Sequence, residues 1–136
     1  GKTIVARCAQ RQDFDTLREV DSRSVRVVVN PGGTNERYVR EHLHRAQVEV
    51  HPDNRTVFEE ILDGRADAMI TDDVEAELQA HRHPELCRTY PGTLTRASKA
   101  VFMPRDPALK AAVDAWLAGA IDAGVPARLL EQAMTR

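Results

Sequence analysis

Val25-Arg26-Val27-Val28-Val29-Asn30-Pro31-Gly32-Gly33-Thr34-Asn35-Glu36 is the stretch whose reading decides the fold. The run Val25 to Val29 is apolar and β-branched almost throughout, as a strand covered on both faces should be. Pro31 removes a backbone donor and ends the strand. Gly32 and Gly33 permit positive φ and close approach by a ligand. The amphipathic segment Glu36 to Arg45 follows, so a helix begins at this turn with Gly33 or Thr34 as its cap. Its first N–H groups then point outward at the positive end of the helix dipole. Such an end can receive a carboxylate or a phosphate, and it is equally an ordinary β–α connection.

The same alternation extends in both directions. Thr3 to Arg7 reads as a short strand. Phe14, Leu17 and Val20 predict a helix over Asp13 to Asp21. The helix after the turn, Thr34 to Arg45, buries Tyr38, Val39 and Leu43. Val48 and Val50 belong to a strand that ends at His51-Pro52. Thr56-Val57-Phe58-Glu59 predicts a capping box before Ile61 and Leu62, with a stop at Asp63-Gly64. Asp67 to Thr71 is a further strand. Asp72-Asp73 opens a helix with Val74 and Leu78 as its apolar stripe, broken between His81 and Pro84. Short strands are expected at Leu86 to Tyr90 and Ala97 to Met103. Asp106-Pro107 is an N-cap with proline at the first helical position, opening a helix through Val113, Trp116, Leu117 and Ile121 to Gly124. Pro126 opens a last helix with Leu129, Leu130 and Met134. This order predicts an α/β fold: a parallel-type sheet between two helical layers, with a helical tail at the C-terminus. A change of composition between Pro91 and Ser98 divides the chain into 1–90 and 91–136.

Ligands of such sheets bind at the carboxyl ends of strands. Two turns qualify, Asn30 to Asn35 and Thr71 to Glu75. At the second, Asp72, Asp73 and Glu75 suit a helix N-terminus electrostatically, at about 0.3–1 kcal/mol each. Asp73 reads as a helix-end residue, whereas Asp72 and Glu75 are placed to lie over the cleft. A carboxyl in a closed, anion-binding cleft is desolvated, which favours its protonated form. Glu75 is therefore the candidate general acid. Lys99 begins the strand expected after the crossing segment. Arg40, Arg45, Arg82 and Arg88 read as solvated surface.

The rest of the composition narrows the classes. The chain has 136 residues, is 42% hydrophobic and 29% charged, and carries a net charge of −2. With a pI near 6.2 it has no bulk attraction to nucleic acid. No apolar run approaches the ~20 residues of a membrane span. Gly1-Lys2-Thr3 leads straight into a strand, so no signal peptide is expected in this stretch. None of the five histidines pairs with another at the i, i+4 spacing of a helical metal site, and no metal is expected. No serine sits in a nucleophile elbow. Cys8 and Cys87 are too far apart for a CxxC site. Either they close a long loop as a disulfide or they are two buried thiols.

Taken together, the run Val27 to Glu36 resembles the signature turn of cyclohexadienyl dehydratases. His51-Pro52-Asp53-Asn54, Asp63-Gly64-Arg65-Ala66-Asp67 and Thr71-Asp72-Asp73-Val74-Glu75-Ala76 are similar to that family, in the right order. So are His83-Pro84-Glu85-Leu86-Cys87, Lys99-Ala100 and Pro104-Arg105-Asp106. The resemblance implies one lobe of a type II periplasmic-binding-protein fold, the second, with the return segment and tail helices that would pack on a first lobe. It implies decarboxylating dehydration of prephenate to phenylpyruvate or of arogenate to phenylalanine, without cofactor or metal, in the periplasm. It assigns Glu75 as general acid and Asn30 as the residue orienting the ring hydroxyl or polarising the site. Gly33, Thr34 and the Asn35 N–H would hold a carboxylate, and Asp72 matches an acid that binds a ligand's ammonium in amino-acid-binding relatives. Lys99 matches a binding position without an assigned step. Cys8 and Cys87 match positions that pair as a disulfide in an exported protein. One lobe alone is expected to be inactive and, with its cleft face uncovered, prone to dimerise or swap. The competing expectation is a non-catalytic amino-acid-binding lobe of an uptake system; fold alone cannot choose between the two.

Overall fold

Alternate residues of the buried strands pack on opposite faces of one sheet. Ile4, Ala6, Val27, Val29, Ala68 and Ile70 face one hydrophobic cluster, together with Phe14, Val20, Val39 and Leu43. Val5, Val28 and Met69 face the other, with Val57, Phe58, Ile61, Ala76 and Leu86. The sheet is thus the middle of three layers, as the unbroken apolar strands require. The computed structural model describes residues 1–134. Gly1–Ala97 form one compact unit, and a second begins at Ser98.

The first unit contains β1 (Lys2–Arg7), α1 (Leu17–Val20), β2 (Arg26–Val29), α2 (Thr34–His42), β3 (Gln47–Val50), α3 (Glu59–Leu62), β4 (Ala68–Asp72), α4 (Asp73–Arg82) and β5 (Leu86–Arg88). The five strands are ordered β3-β2-β4-β1-β5. β2 runs parallel to both β3 and β4, which places the ends of β2 and β4 at one rim. β1 runs antiparallel to β4 and β5, so the sheet is mixed rather than wholly parallel. An apolar strand buried on both faces carries no record of its direction, which is why sequence pattern did not reveal this. The consequence matters: the start of β1 lies at the same rim, with Lys2 opposite Asp72.

Local chemistry explains the other departures. The helix expected from Asp13 is confined to Leu17–Val20, because Thr16 and Glu19 form a reciprocal capping box that starts it there. α2 stops at His42, short of Arg45. The Asp21 carboxylate collects the backbone N–H groups of His44, Arg45 and Ala46 at 2.8, 2.6 and 3.1 Å and holds that segment out of the helix. The capping box expected at Thr56 does not form. Thr56 Oγ1 bonds His51 Nε2 at 2.8 Å instead, and Phe58 precedes α3 without a side-chain cap. α4 buries Ala76, whereas Val74 is exposed. Arg88 is not a solvated arginine: its guanidinium donates to Gly92 O at 2.7 Å and to Thr3 Oγ1 and Glu77.

Cys8 and Cys87 form a disulfide, with Cα atoms 4.8 Å apart. It joins the segment after β1 to β5, where Ala6 and Cys87 are already paired across the sheet.

The second unit holds α5 (Pro107–Asp122) and α6 (Val125–Met134). Asp106 caps α5, accepting from the N–H groups of Ala108 and Leu109 at 2.9 and 3.0 Å. Gly124 takes a φ of +66° between the helices, a conformation that suits glycine at a helix end. Ala97 to Met103 is not a strand, since no neighbouring strand supplies partners for its backbone. Phe102 is fully exposed there, and Trp116, Ile121 and Leu129 are exposed on the helices.

Candidate functional site

The two turns meet, as β2 and β4 are neighbours running the same way. In the first, only Gly32 uses positive φ, at +72°; Gly33 is extended. Gly32 turns its N–H onto Glu36 Oε2 at 2.7 Å. That bond, and then the Arg40 guanidinium, hold the Glu36 carboxyl below its ordinary range. Gly33 occupies the N-cap of α2 and has no side chain to close it, so no side-chain oxygen covers the first-turn N–H groups. α4 begins directly at the end of β4, which sets Asp72 at its N-cap and Glu75 in its first turn.

A directed hydrogen-bond chain links these parts. Lys2 is 6% exposed, and its Nζ donates to Thr34 Oγ1 at 2.8 Å, to Asp72 Oδ1 at 2.9 Å and to Asn35 Oδ1. An ammonium can only donate, so it fixes which end of the Asn35 amide faces it. Asn35 Nδ2 then donates to Asn30 Oδ1 and to Thr71 Oγ1, both at 3.2 Å. Thr71, fully buried, donates its hydroxyl hydrogen bond to Glu75 Oε2. With the Asn30 carbonyl engaged, its NH2 is the group offered to a ligand. Thr34, accepting from Lys2, keeps its hydroxyl proton to donate.

Asn30, Gly33, Thr34, Asn35, Asp72 and Glu75 are therefore brought to one rim. Lys99 lies in the second unit, where it lines a groove with Phe102, Asp114 and Leu117. Sequence reading missed Lys2 and Thr71. The signal was present: a lysine and threonines stand inside strands that are otherwise apolar, and buried polar side chains there need partners. Among the described residues no group of three or more His, Cys, Asp or Glu is placed to hold a metal ion. No helix among them is long and apolar enough to cross a membrane.

A mixed, doubly covered sheet with two helix N-termini and a polar chain at one rim is the lobe architecture of amino-acid-binding proteins. An ancestral amino-acid-binding protein described as a precursor of cyclohexadienyl dehydratase superposes with a TM-score of 0.76 at 25% identity, over 98% of this chain and 56% of that one. An ancestral cyclohexadienyl dehydratase superposes over the whole of this chain and 57% of its own, with a TM-score of 0.66 and 37% identity. The chain is 46% identical over 132 residues to the cyclohexadienyl dehydratase of Pseudomonas aeruginosa, covering 96% of this chain and 49% of the relative. The chain is a homologue of that dehydratase and spans about half the length of the relative. No family model matches it.

Proposed function

We propose that the rim carrying Asn30, Thr34, Asn35, Asp72 and Glu75 is one wall of a cyclohexadienyl dehydratase site. The protein as a whole would convert prephenate to phenylpyruvate, arogenate to phenylalanine, or both. The observation that carries this reading is the unbroken path from Lys2 through Asn35 and Thr71 to the Glu75 carboxyl. In the reaction the ring hydroxyl departs as water while the ring carboxylate leaves as carbon dioxide. The electron pair of the broken C–C bond enters the ring, which becomes aromatic. The departing oxygen needs one proton, and Glu75 is the acid in reach of the rim. Asn30 orients the hydroxyl through its NH2. The N–H groups of the first turn of α2 and the Thr34 hydroxyl hold a carboxylate. No step is given to Lys99.

The rim supplies one wall only, and the dehydratase it matches is about twice as long as this chain. The second unit, with Phe102, Trp116, Ile121 and Leu129 exposed, is the segment that would pack on the other lobe. Separated from it, the first unit would show little turnover, and copies would tend to associate or swap. The Cys8–Cys87 bridge fits an oxidising compartment, which supports export to the periplasm.

A second reading, a non-catalytic amino-acid-binding lobe, is favoured by the likeness to the ancestral amino-acid-binding protein. Glu75 separates the two. In the full-length protein, Glu75→Gln should abolish prephenate consumption while ligand binding survives. A near-normal rate in that variant removes Glu75 from the chemistry.

A further inference from the structure

β3 is an edge strand of the sheet, paired with β2 along one side, and its Gln47, Glu49 and Val50 are exposed. So short a strand frays unless its ends are tied. At its start, Gln47 donates its backbone N–H to Val25 O at 2.8 Å and its side-chain amide to Arg23 O at 2.6 Å. At its other end, the His51 N–H donates to Val29 O at 2.8 Å. Pro52 follows and has no N–H to give, so the ladder ends on this bond. It ends beside the rim, because β2 and β3 run the same way. The Val29 carbonyl belongs to the peptide plane that carries the nitrogen of Asn30. The bond from His51 therefore fixes the plane from which Asn30 leaves β2.

The His51 ring holds that end of the strand in place. Its Nε2 is 2.8 Å from Thr56 Oγ1, and its Nδ1 faces Glu60 Oε1 at 3.5 Å, with the two charged partners only 22% and 17% exposed. Arg65 grips Glu60 through two bonds of 2.9 Å, which hold the carboxyl below its ordinary range. An anion at that place favours the ring proton on Nδ1 and leaves Nε2 to accept from the Thr56 hydroxyl. Thr56 stands on a turn anchored by its neighbours Val57 and Phe58, both buried in the second cluster. The ring thus ties an exposed strand end to the core. We infer that His51 is a positioning residue: held by Thr56 and Glu60, it pins the end of β3 to β2 and so keeps Asn30 in place at the rim. This rests on the reading of the rim as the dehydratase wall, in which Asn30 orients the departing hydroxyl.

The test uses the full-length protein and reads turnover and backbone protection side by side. His51→Ala should lower kcat roughly tenfold with KM little changed, since a misplaced Asn30 is felt as the hydroxyl leaves rather than when the carboxylates bind. Amide hydrogen exchange over residues 46–51, followed by mass spectrometry, should become roughly tenfold faster while exchange in β1 stays at the parent rate. His51→Gln, whose amide reaches Thr56 from the place of Nε2, should restore both. Thr56→Val keeps the histidine and removes its partner, so kcat should fall in the same direction; it takes the place of His51→Ala if that variant does not fold. Parent kcat in the altered protein, unchanged exchange over 46–51, or failure of His51→Gln to restore either quantity overturns the inference alone. A parent that turns over neither prephenate nor arogenate fails the dehydratase reading itself, and this inference with it.

Discussion

Arg26 and Asp67 grip each other through two parallel side-chain bonds, Nη2 to Oδ1 at 2.8 Å and Nε to Oδ2 at 3.1 Å, and the Arg26 backbone N–H adds a third at 2.8 Å. Arg7 Nη2 stands 3.6 Å away on the other side. The cluster ties the end of β1, the start of β2 and the entry to β4 together. Replacing Asp67 by alanine strands the Arg26 guanidinium and a strand N–H and removes the counter-charge of Arg7, which keeps its bonds to Ile61 O and Ala66 O. We expect a loss of about 2–3 kcal/mol, below the range for fully buried pairs because Arg26 is a third exposed. Urea unfolding measures it; a midpoint unchanged from the parent would show the cluster to be ornamental.

The same pair sets an acid limit. Burial works to raise the Asp67 pKa, but the Arg26 side chain and N–H, with the charge of Arg7, win and hold it below the ordinary 3.8. The folded pKa is depressed, so the stabilisation is complete above the unfolded value and is lost as pH falls through the folded one. Stability of the parent should therefore drop more steeply below about pH 4 than that of Asp67→Asn. Parallel acid-side slopes in the two proteins would exclude Asp67 as a contributor.

Much of this was legible from the residues, and what was not has physical causes. The turn Asn30 to Asn35 and the acidic turn at Asp72 announce themselves because proline, glycine and helix-end acids act locally. Their meeting follows from strand adjacency. The pattern predicts a capping box at Thr56, and one forms at Thr16. Both sequences contain the pattern, and His51, brought in by the chain fold, claims the Thr56 hydroxyl. The place of Lys2 depends on β1 running against β4, a fact of pairing that no periodicity encodes. The place of Thr71 is equally hidden from sequence, because its two partners come from different helices.

Reduction of Cys8–Cys87 should destabilise the first unit by about 3–5 kcal/mol, as the bridge closes a loop of 79 residues in the unfolded chain. The neighbouring β1–β5 pairing keeps the two segments together in the native state, so the sheet should persist with its midpoint lowered. Thermal melts with and without a phosphine reductant decide it. Coincident melts would mean that the bridge contributes nothing the strand pairing does not.

Thr71→Val probes the path to the acid directly. Valine matches threonine in shape, so the buried site stays filled, but Asn35 Nδ2 loses an acceptor and Glu75 loses its donor. We expect a stability cost of about 1–3 kcal/mol from the unsatisfied Asn35 amide. If Glu75 delivers the proton, its orientation matters only once the ring hydroxyl is leaving. In the full-length protein kcat should then fall roughly 10- to 100-fold while KM changes little, the sign of a group acting in the transition state. Thr71→Ser restores the hydroxyl and should restore most of kcat. A variant that loses stability yet keeps the parent kcat would show that Thr71 supports the fold alone, and that Glu75 is aimed by something other than this hydrogen bond.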